Sequence, residues 1–260
     1  MNSILERIIK STQQQVQKDM ETIPLNQLRR EAESMPKLKS SFSEAISKDG
    51  INIIAEVKKA SPSKGLICHD FNYRTIAREY ACGGAAAVSV LTEENFFNGR
   101  LNYLDDIATE INIPLLRKDF IIQEYQIYQA RVHRASAVLL LAAALDIHQL
   151  INFVAVAQSC ELDVLLEVHN DGELEMALRT PAQVIGVNNR DLKDFSVKLE
   201  TSAKLSSQIP ADRIKISESG IATYQDIEFL QCHGYSAFLV GESLMRQNDR
   251  IKALHQLRGL

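Results

Sequence analysis

Between residues 51 and 260 one rhythm repeats eight times: a short β-rich apolar run, then a helical pattern. The runs fall near Ile53–Val57, Ala86–Leu91, Ile113–Leu116, Ala137–Leu141, Val164–Val168, Val184–Asn188, Ile214–Ser217 and Ala237–Val240. Helical patterns follow, for example Tyr73–Ala81, Tyr125–Arg134, Ile147–Gln158, Gly172–Leu178, Tyr224–Cys232 and Asp249–Leu257. The runs lack polar alternation, which argues for strands covered on both faces in a parallel sheet. Eight such units close most naturally into a single (β/α)8 TIM barrel. An open doubly wound sheet is the alternative, but no Gly-x-Gly-x-x-Gly follows the first run. Gly83-Gly84 and Gly234 stand where helix C-terminal caps belong.

The first residues read differently. Ser3-x-x-Glu6 has the form of a capping box, and Ile4, Leu5, Ile8, Ile9, Val16 and Met20 recur on one helical face. Pro24 ends that helix, and a second, from about Leu25 to Glu33, follows. These helices carry too little apolar surface for a core of their own. Residues 1–48 are therefore expected to form a helical extension packed on a barrel of residues 49–260.

Hydrophobic residues make up 45% and charged residues 24%, the balance of an ordinary globular protein. A net charge of -4 argues against a general nucleic-acid binder. The longest apolar run, Ala137 to Leu145, falls short of a membrane span, and no signal peptide is visible. Cys68, Cys82, Cys160 and Cys232 form no C-x-x-C pair, so reduced thiols in a cytoplasmic protein are expected. The histidines have no metal-ligand spacing, and no metal is expected.

In a barrel of this kind chemistry sits at the C-terminal ends of the strands. The first run ends in Glu56 and Lys58, which share a face because strand side chains alternate, and then Ser61. Two buried charges on one face need each other or a charged ligand. The third run leads to Arg117-Lys118-Asp119, the fifth to Glu167-Val168-His169, and the sixth to Asn188-Asn189-Arg190. The seventh offers Ser217-Glu218-Ser219-Gly220 and the eighth Gly241-Glu242-Ser243. Alternation groups Glu167 with His169, Asn188 with Arg190, and Ser217 with Ser219. His169 reads as a hydrogen-bonded structural histidine, and Leu139–Leu141 as core. Singly, each polar group could be a solvated strand end; together they mark one end of the barrel as a site. The glycine turns at Ser219-Gly220 and Gly241-Glu242 occupy the usual phosphate-binding position, which points to a phosphorylated small-molecule substrate.

The segments IIAEVKKASPSKG, LLRKDFI, LEVH, IGVNNRDL, SESGI and VGESLM strongly resemble the indole-3-glycerol-phosphate synthase family of tryptophan biosynthesis. The likeness covers about the whole chain. It departs at Arg134-Ala135 and Glu161, where the family often has glycine, and at Arg100, where serine is common.

The resemblance implies conversion of 1-(2-carboxyphenylamino)-1-deoxyribulose 5-phosphate into indole-3-glycerol phosphate, carbon dioxide and water, with no cofactor. It implies that Lys118 protonates the oxyanion formed on ring closure. A crowded cationic site would lower the Lys118 pKa and make it a better acid. By the same likeness Glu167, Lys58 and Glu56 share the dehydration, and Asn188 holds a substrate hydroxyl. Ser61 and Arg190 orient the anthranilate end, Phe97 and Phe120 wall the aromatic part, and Glu218 lies at the substrate. Ser219, Gly220, Gly241 and Glu242 take the phosphate. A monomer that binds neither nucleic acid nor membrane is expected. Rival readings are a Schiff-base aldolase with Lys58 or Lys118 as nucleophile, a phosphoribosylanthranilate isomerase, and a catalytically silent phosphate-binding scaffold.

Overall fold

In a computed structural model, which describes residues 3–38 and 40–260, eight parallel strands close into a barrel. In chain order the strands are β1 (Asn52–Val57), β2 (Ala60–Ser61), β3 (Gly65–Leu66), β4 (Ala87–Leu91), β5 (Leu115–Lys118), β6 (Ala137–Leu141), β7 (Asp163–Val168), β8 (Val184–Asn188), β9 (Ile214–Glu218) and β10 (Ala237–Val240). The short pair β2–β3 forms an antiparallel ribbon in the first loop, and the other eight form the barrel, in which β1 is bonded to β10 and β4. The helices are α1 (Ile4–Thr22), α2 (Leu25–Ser34), α3 (Phe42–Ile46), α4 (Tyr73–Cys82), α5 (Asn102–Glu110), α6 (Glu124–Val132), α7 (Ile147–Ser159), α8 (Asp171–Leu178), α9 (Glu200–Ser206), α10 (Tyr224–Gln231), α11 (Glu242–Met245) and α12 (Arg250–Leu257). No helix among the described residues is long and apolar enough to cross a membrane.

Both faces of the strands are buried, which is why their sequences show no polar alternation. Ile53, Ala55, Val57, Val88, Val90, Val138, Leu140, Leu166 and Val187 pack outward against the helices. Ile54, Ala87, Leu116, Ala137, Leu139, Leu165, Val184, Ile216 and Ala237 fill the interior. One expected strand shifts: the third barrel strand starts at Leu115, not Ile113, because Pro114 has no N–H to pair. Arg117 and Lys118 consequently lie within the strand rather than beyond it.

The N-terminal helices bracket the barrel. The capping box is present: Ser3 Oγ accepts from the Glu6 N–H at 3.2 Å and Glu6 Oε2 accepts from the Ser3 N–H at 3.0 Å. Helix α1 stops at Thr22, before Pro24, and the Tyr125 hydroxyl of α6 donates to Ile23 O at 3.0 Å. Helix α3 plugs the floor, with Phe42 and Ile46 fully buried among the inward side chains of the strands. Asp163, at the start of β7, fixes it by accepting from the Ser43 N–H at 2.8 Å and from the Ser41 and Ser43 hydroxyls at 3.1 Å each.

Gly84 and Gly234 adopt φ of 80° and 81° at helix ends, as their positions suggest. Arg134 and Glu161 do the same without being glycine, at φ of 64° and 58°. The left-handed region strains a residue that carries a Cβ. Glu161 is compensated by an ion pair with the buried Arg131 at 2.9 Å, whereas Arg134 is exposed. Arg134→Gly is therefore expected to raise unfolding free energy by about 0.5–1 kcal/mol, measured by urea denaturation; a loss of stability would mean that the Arg134 side chain holds the turn by contacts of its own.

Candidate active site

The inward residues at the C-terminal ends of the strands, the loops above them and the first turns of α1 enclose a cavity of about 690 Å3. Lys118 stands at its floor at the end of β5. Its Nζ donates to Glu167 Oε2 of β7 at 2.7 Å and to Glu218 Oε2 of β9 at 3.0 Å. The other Glu167 oxygen accepts from Asn188 Nδ2 at 3.0 Å, and Asn188 Oδ1 in turn accepts from the Arg190 N–H at 3.0 Å. Two strands away from Lys118, Glu56 on β1 is paired with Lys58. These carboxylates are nearly sealed from water, with Glu56, Glu167 and Glu218 at 4%, 2% and 1% exposure.

Two glycines make this crowding sterically feasible. A Cβ on Gly186 of β8 would collide with Glu218 Oε1 and the Leu165 side chain. One on Gly241 would strike the Glu56 carboxylate and crowd Lys58 Nζ.

The electrostatics correct one expectation from sequence. Lys118 is not in a cationic site. Burial alone lowers its pKa, but Glu167, Glu218 and Glu56 outweigh that effect and hold it above the ordinary lysine value. Arg117, its cationic neighbour in sequence, points to the opposite face of the strand and is neutralised there by Asp119 at 3.0 Å. Glu167 is also buried, yet the Lys118 charge and the His169 imidazole hold its carboxyl well below the usual range. Glu218 goes the other way. Burial raises its pKa, Lys118 only partly offsets this, and the Glu167 and Glu56 charges add to the rise, to about 7. One of its oxygens, Oε1, is buried without a hydrogen-bond partner. Three carboxyl side chains and two ammonium groups thus share the floor, and Glu218, unlike Glu167, is shifted toward its protonated form.

His169 follows the end of β7, beside Glu167 and against Glu173 of α8. Its Nδ1 meets Glu173 Oε2 at 3.0 Å, and its Nε2 is 3.2 Å from Glu167 Oε1, outside hydrogen-bonding alignment. Burial lowers its pKa, but the two carboxylates raise it to about 10, so the imidazole is cationic and backs Glu167.

The rest of the cavity divides by chemistry. Phe97 and Phe120, with ring centroids 6.0 Å apart, form an aromatic wall, and Ser61 of the first loop lines the same cavity. The glycine turns, Ser219-Gly220 and Gly241-Glu242, lie on the opposite side together with Ser243 and Arg246. The Glu242 side chain accepts from Arg246 Nε and Nη2 at 3.1 Å each and faces Arg190 at 4.0 Å, so only its backbone N–H is suited to an anion. The catalytic and substrate-binding candidates named from sequence, from Glu56 to Glu242, line this one cavity, whereas Arg117, His169 and Ser217 do not.

Two sequence readings need correction. Ser217 does not join Ser219 in the cavity: Glu218 is the inward residue of β9, and Ser217 Oγ is bonded behind the sheet to Ser202 at 2.8 Å and Asn189 at 3.0 Å. Leu139 and Leu141 are core residues that also line the cavity. Sequence reasoning missed the apolar residues brought to the mouth from far away: Ile4, Leu5 and Ile8 of α1 and Leu192, Phe195 and Val197 of the loop after β8. The helical face of α1 was the available signal for the first three. Among the described residues no group of three or more His, Cys, Asp or Glu side chains is arranged to hold a metal ion.

The Glu218 pKa has a testable sign. The folded state binds this proton more tightly than the unfolded chain, so the contribution of Glu218 to stability is greatest below the ordinary carboxylate range and falls as pH rises toward and through about 7. In Glu218→Gln that fall should be smaller, giving a flatter melting temperature between pH 5.5 and 8.5 in a thermal-unfolding series. An unchanged slope would assign the proton elsewhere.

The family model described as indole-3-glycerol phosphate synthase matches residues 5–257. A protein of that name from Endomicrobium trichonymphae is 47% identical over 257 residues, covering 98% of this chain and 99% of its own. Another from Alkaliphilus metalliredigens is 46% identical over 255 residues, covering 98% of each chain. One from Rhodopirellula baltica is 43% identical over 247 residues, covering 95% of each. Among solved structures, a thiamine phosphate pyrophosphorylase from Pyrococcus furiosus superposes with a TM-score of 0.58 at 17% identity, over 80% of this chain and 94% of that one, which is a likeness of fold. By near full-length identity to its relatives and by the match of its family model, this chain belongs to the indole-3-glycerol phosphate synthase family.

Proposed function

We propose that the chain converts 1-(2-carboxyphenylamino)-1-deoxyribulose 5-phosphate into indole-3-glycerol phosphate, carbon dioxide and water. The observation that carries this reading, beside family membership, is the Lys118 ammonium held between Glu167 and Glu218 at the floor of a cavity with an aromatic wall and two glycine turns. The substrate's phosphate is placed at Ser219-Gly220 and Gly241-Glu242, on free backbone N–H groups, with the Lys58 charge nearby. Its aromatic ring lies against Phe97 and Phe120, and Arg190 and Ser61 orient its carboxylate.

Ring closure forms a bond from the carboxylate-bearing ring carbon to the ketone carbon, and negative charge develops on the ketone oxygen. Lys118 stabilises that charge and gives it a proton. A lysine whose pKa is raised is a reluctant acid, so the neighbouring proton matters. The amine left on Lys118 recovers a proton from the protonated Glu218 carboxyl beside it, and Glu218 becomes a carboxylate. Loss of carbon dioxide returns an electron pair to the ring system. Departure of the hydroxyl as water and removal of a proton from the ring methylene carbon beside the nitrogen then complete the indole, which keeps its N–H, with Glu167, Lys58 and Glu56 supplying the acid and base. Asn188 fixes both Glu167 and a substrate hydroxyl.

We further read the chain as a cytoplasmic monomer that binds neither nucleic acid nor membrane, and residues 1–48 as an extension to a catalytic barrel of residues 49–260. The net charge of -4 and the four free cysteines support that reading.

The direct test is indole fluorescence from purified protein and this substrate with no cofactor added. Lys118→Ala is expected to lower kcat by about 10³-fold with KM within about tenfold, because its proton is needed chiefly in the transition state. Glu167→Gln should cripple turnover as well. A flat trace from folded parent protein, or near-parent turnover in Lys118→Ala, would overturn the assignment.

A further inference from the structure

Strand β5 has a second face that the mechanism above does not use. Lys118 and Phe120 point into the cavity, whereas Arg117 points behind the sheet and is paired there with Asp119, which borders the chambers on both sides. Both are nearly sealed, at 4% and 6% exposure. The guanidinium spends its donors on four neighbours. Its Nε reaches Thr92 Oγ1 at 3.2 Å, Nη2 reaches Asp119 Oδ2 at 3.0 Å, and Nη1 reaches Gln126 O of α6 at 2.7 Å and Gln129 Oε1 at 3.3 Å. Thr92 closes the circle by donating to Asp119 Oδ2, while Asp119 Oδ1 accepts from the Phe120 N–H at 2.8 Å.

The network does not end there. Gln129 Nε2 donates to Asp19 Oδ2 of α1 at 2.9 Å, and Gln15 Nε2 holds the other Asp19 oxygen at 2.8 Å. The far end of the same helix carries Ile4, Leu5 and Ile8 at the cavity mouth. A buried charge with this many directional partners fixes the backbone on either side of it, because moving it would leave charged groups unpaired. The backbone it fixes is that of Lys118.

We infer that Arg117 is a positioning residue for Lys118: its fork, locked by Asp119, Thr92, Gln126 and Gln129, sets where the Lys118 ammonium stands over the substrate. The inference rests on Lys118 acting as the acid described above. Lysine at position 117 keeps the charge but has no planar fork to span Asp119 and the α6 carbonyl together. Geometry errors of this kind fall on the transition state, so they lower kcat rather than raise KM.

The structure also supplies a rescue route. A second chamber of about 240 Å3 opens behind β5, lined by Thr12, Asp19, Thr92, Arg117, Gln126 and Gln129. Guanidinium ion at millimolar concentration can enter it and take the seat left by a truncated arginine.

The experiment measures kcat and KM by indole fluorescence for Arg117→Lys, Arg117→Ala and Thr92→Val. Thermal unfolding confirms that each variant is folded at the assay temperature. Arg117→Ala is expected to lose about 100-fold in kcat with KM within about threefold, and guanidinium should restore at least part of it. Arg117→Lys and Thr92→Val should each lose about tenfold in kcat. If Arg117→Ala does not fold, the other two variants decide. Parent kcat in both Arg117→Lys and Thr92→Val, or a loss confined to melting temperature, overturns the inference. Lys118→Ala run beside them separates the two readings: full turnover there overturns the role of Lys118 itself, whereas an inactive Lys118→Ala with unimpaired Arg117 variants overturns only the positioning role.

Discussion

The ammonium of Lys118 between the Glu167 and Glu218 carboxylates is the contact on which the rest of the site turns. Three strands supply it, and each places one charge at the same level of the barrel. None of these charges would be tolerated alone, since an unpaired buried ion costs several kcal/mol and titrates or drives rearrangement. Together they tolerate one another, but only in a frame that cannot relax. The strands provide the frame, the helices behind them keep it dry, and two glycines leave the volume in which the carboxylates fit.

The same frame divides labour among chemically similar groups. Glu167 and Glu218 start as identical side chains on neighbouring parts of one wall. Glu167 gains two cationic neighbours, Lys118 and His169, and an amide donor, Asn188, so it is held ionised. Glu218 has only the shared lysine, and its second oxygen has no donor, so it retains a proton. One carboxylate suited to base chemistry and one suited to proton supply thus arise from one extra cation and one extra amide donor.

Much of this was legible in the chain. The eight-fold strand–helix rhythm gave the barrel because its period survives any tertiary detail. Glu56 and Lys58 could be placed on one face because two residues on a strand always share one. Ser217 and Glu218 could not be told apart so easily, because the face of β9 that is apolar at Ile214 and Ile216 turns charged at Glu218, so polarity at the strand end does not mark which side faces out. The sign of the Lys118 shift was hidden for a different reason. Its partners, Glu167 and Glu218, are 49 and 100 residues away, whereas the cation beside it in sequence points to the other side of the strand. Adjacency in the chain misled where adjacency across the barrel decides.

The floor plug carries a consequence of another kind, in time rather than space. Phe42 and Ile46 are synthesised early, yet the surface they cover is assembled from strands that extend to the end of the chain, and Ser43 is bonded to an aspartate 120 residues later. During synthesis these apolar side chains meet β1 and β4 first, but the Asp163 carboxylate and the later strands reach them only once more of the barrel has emerged. Contacts this distant in sequence form late, after their loop entropy has been overcome. This segment precedes every strand in the chain, yet its full docking closes the bottom of the barrel only when strands from β1 to β10 are in place around it.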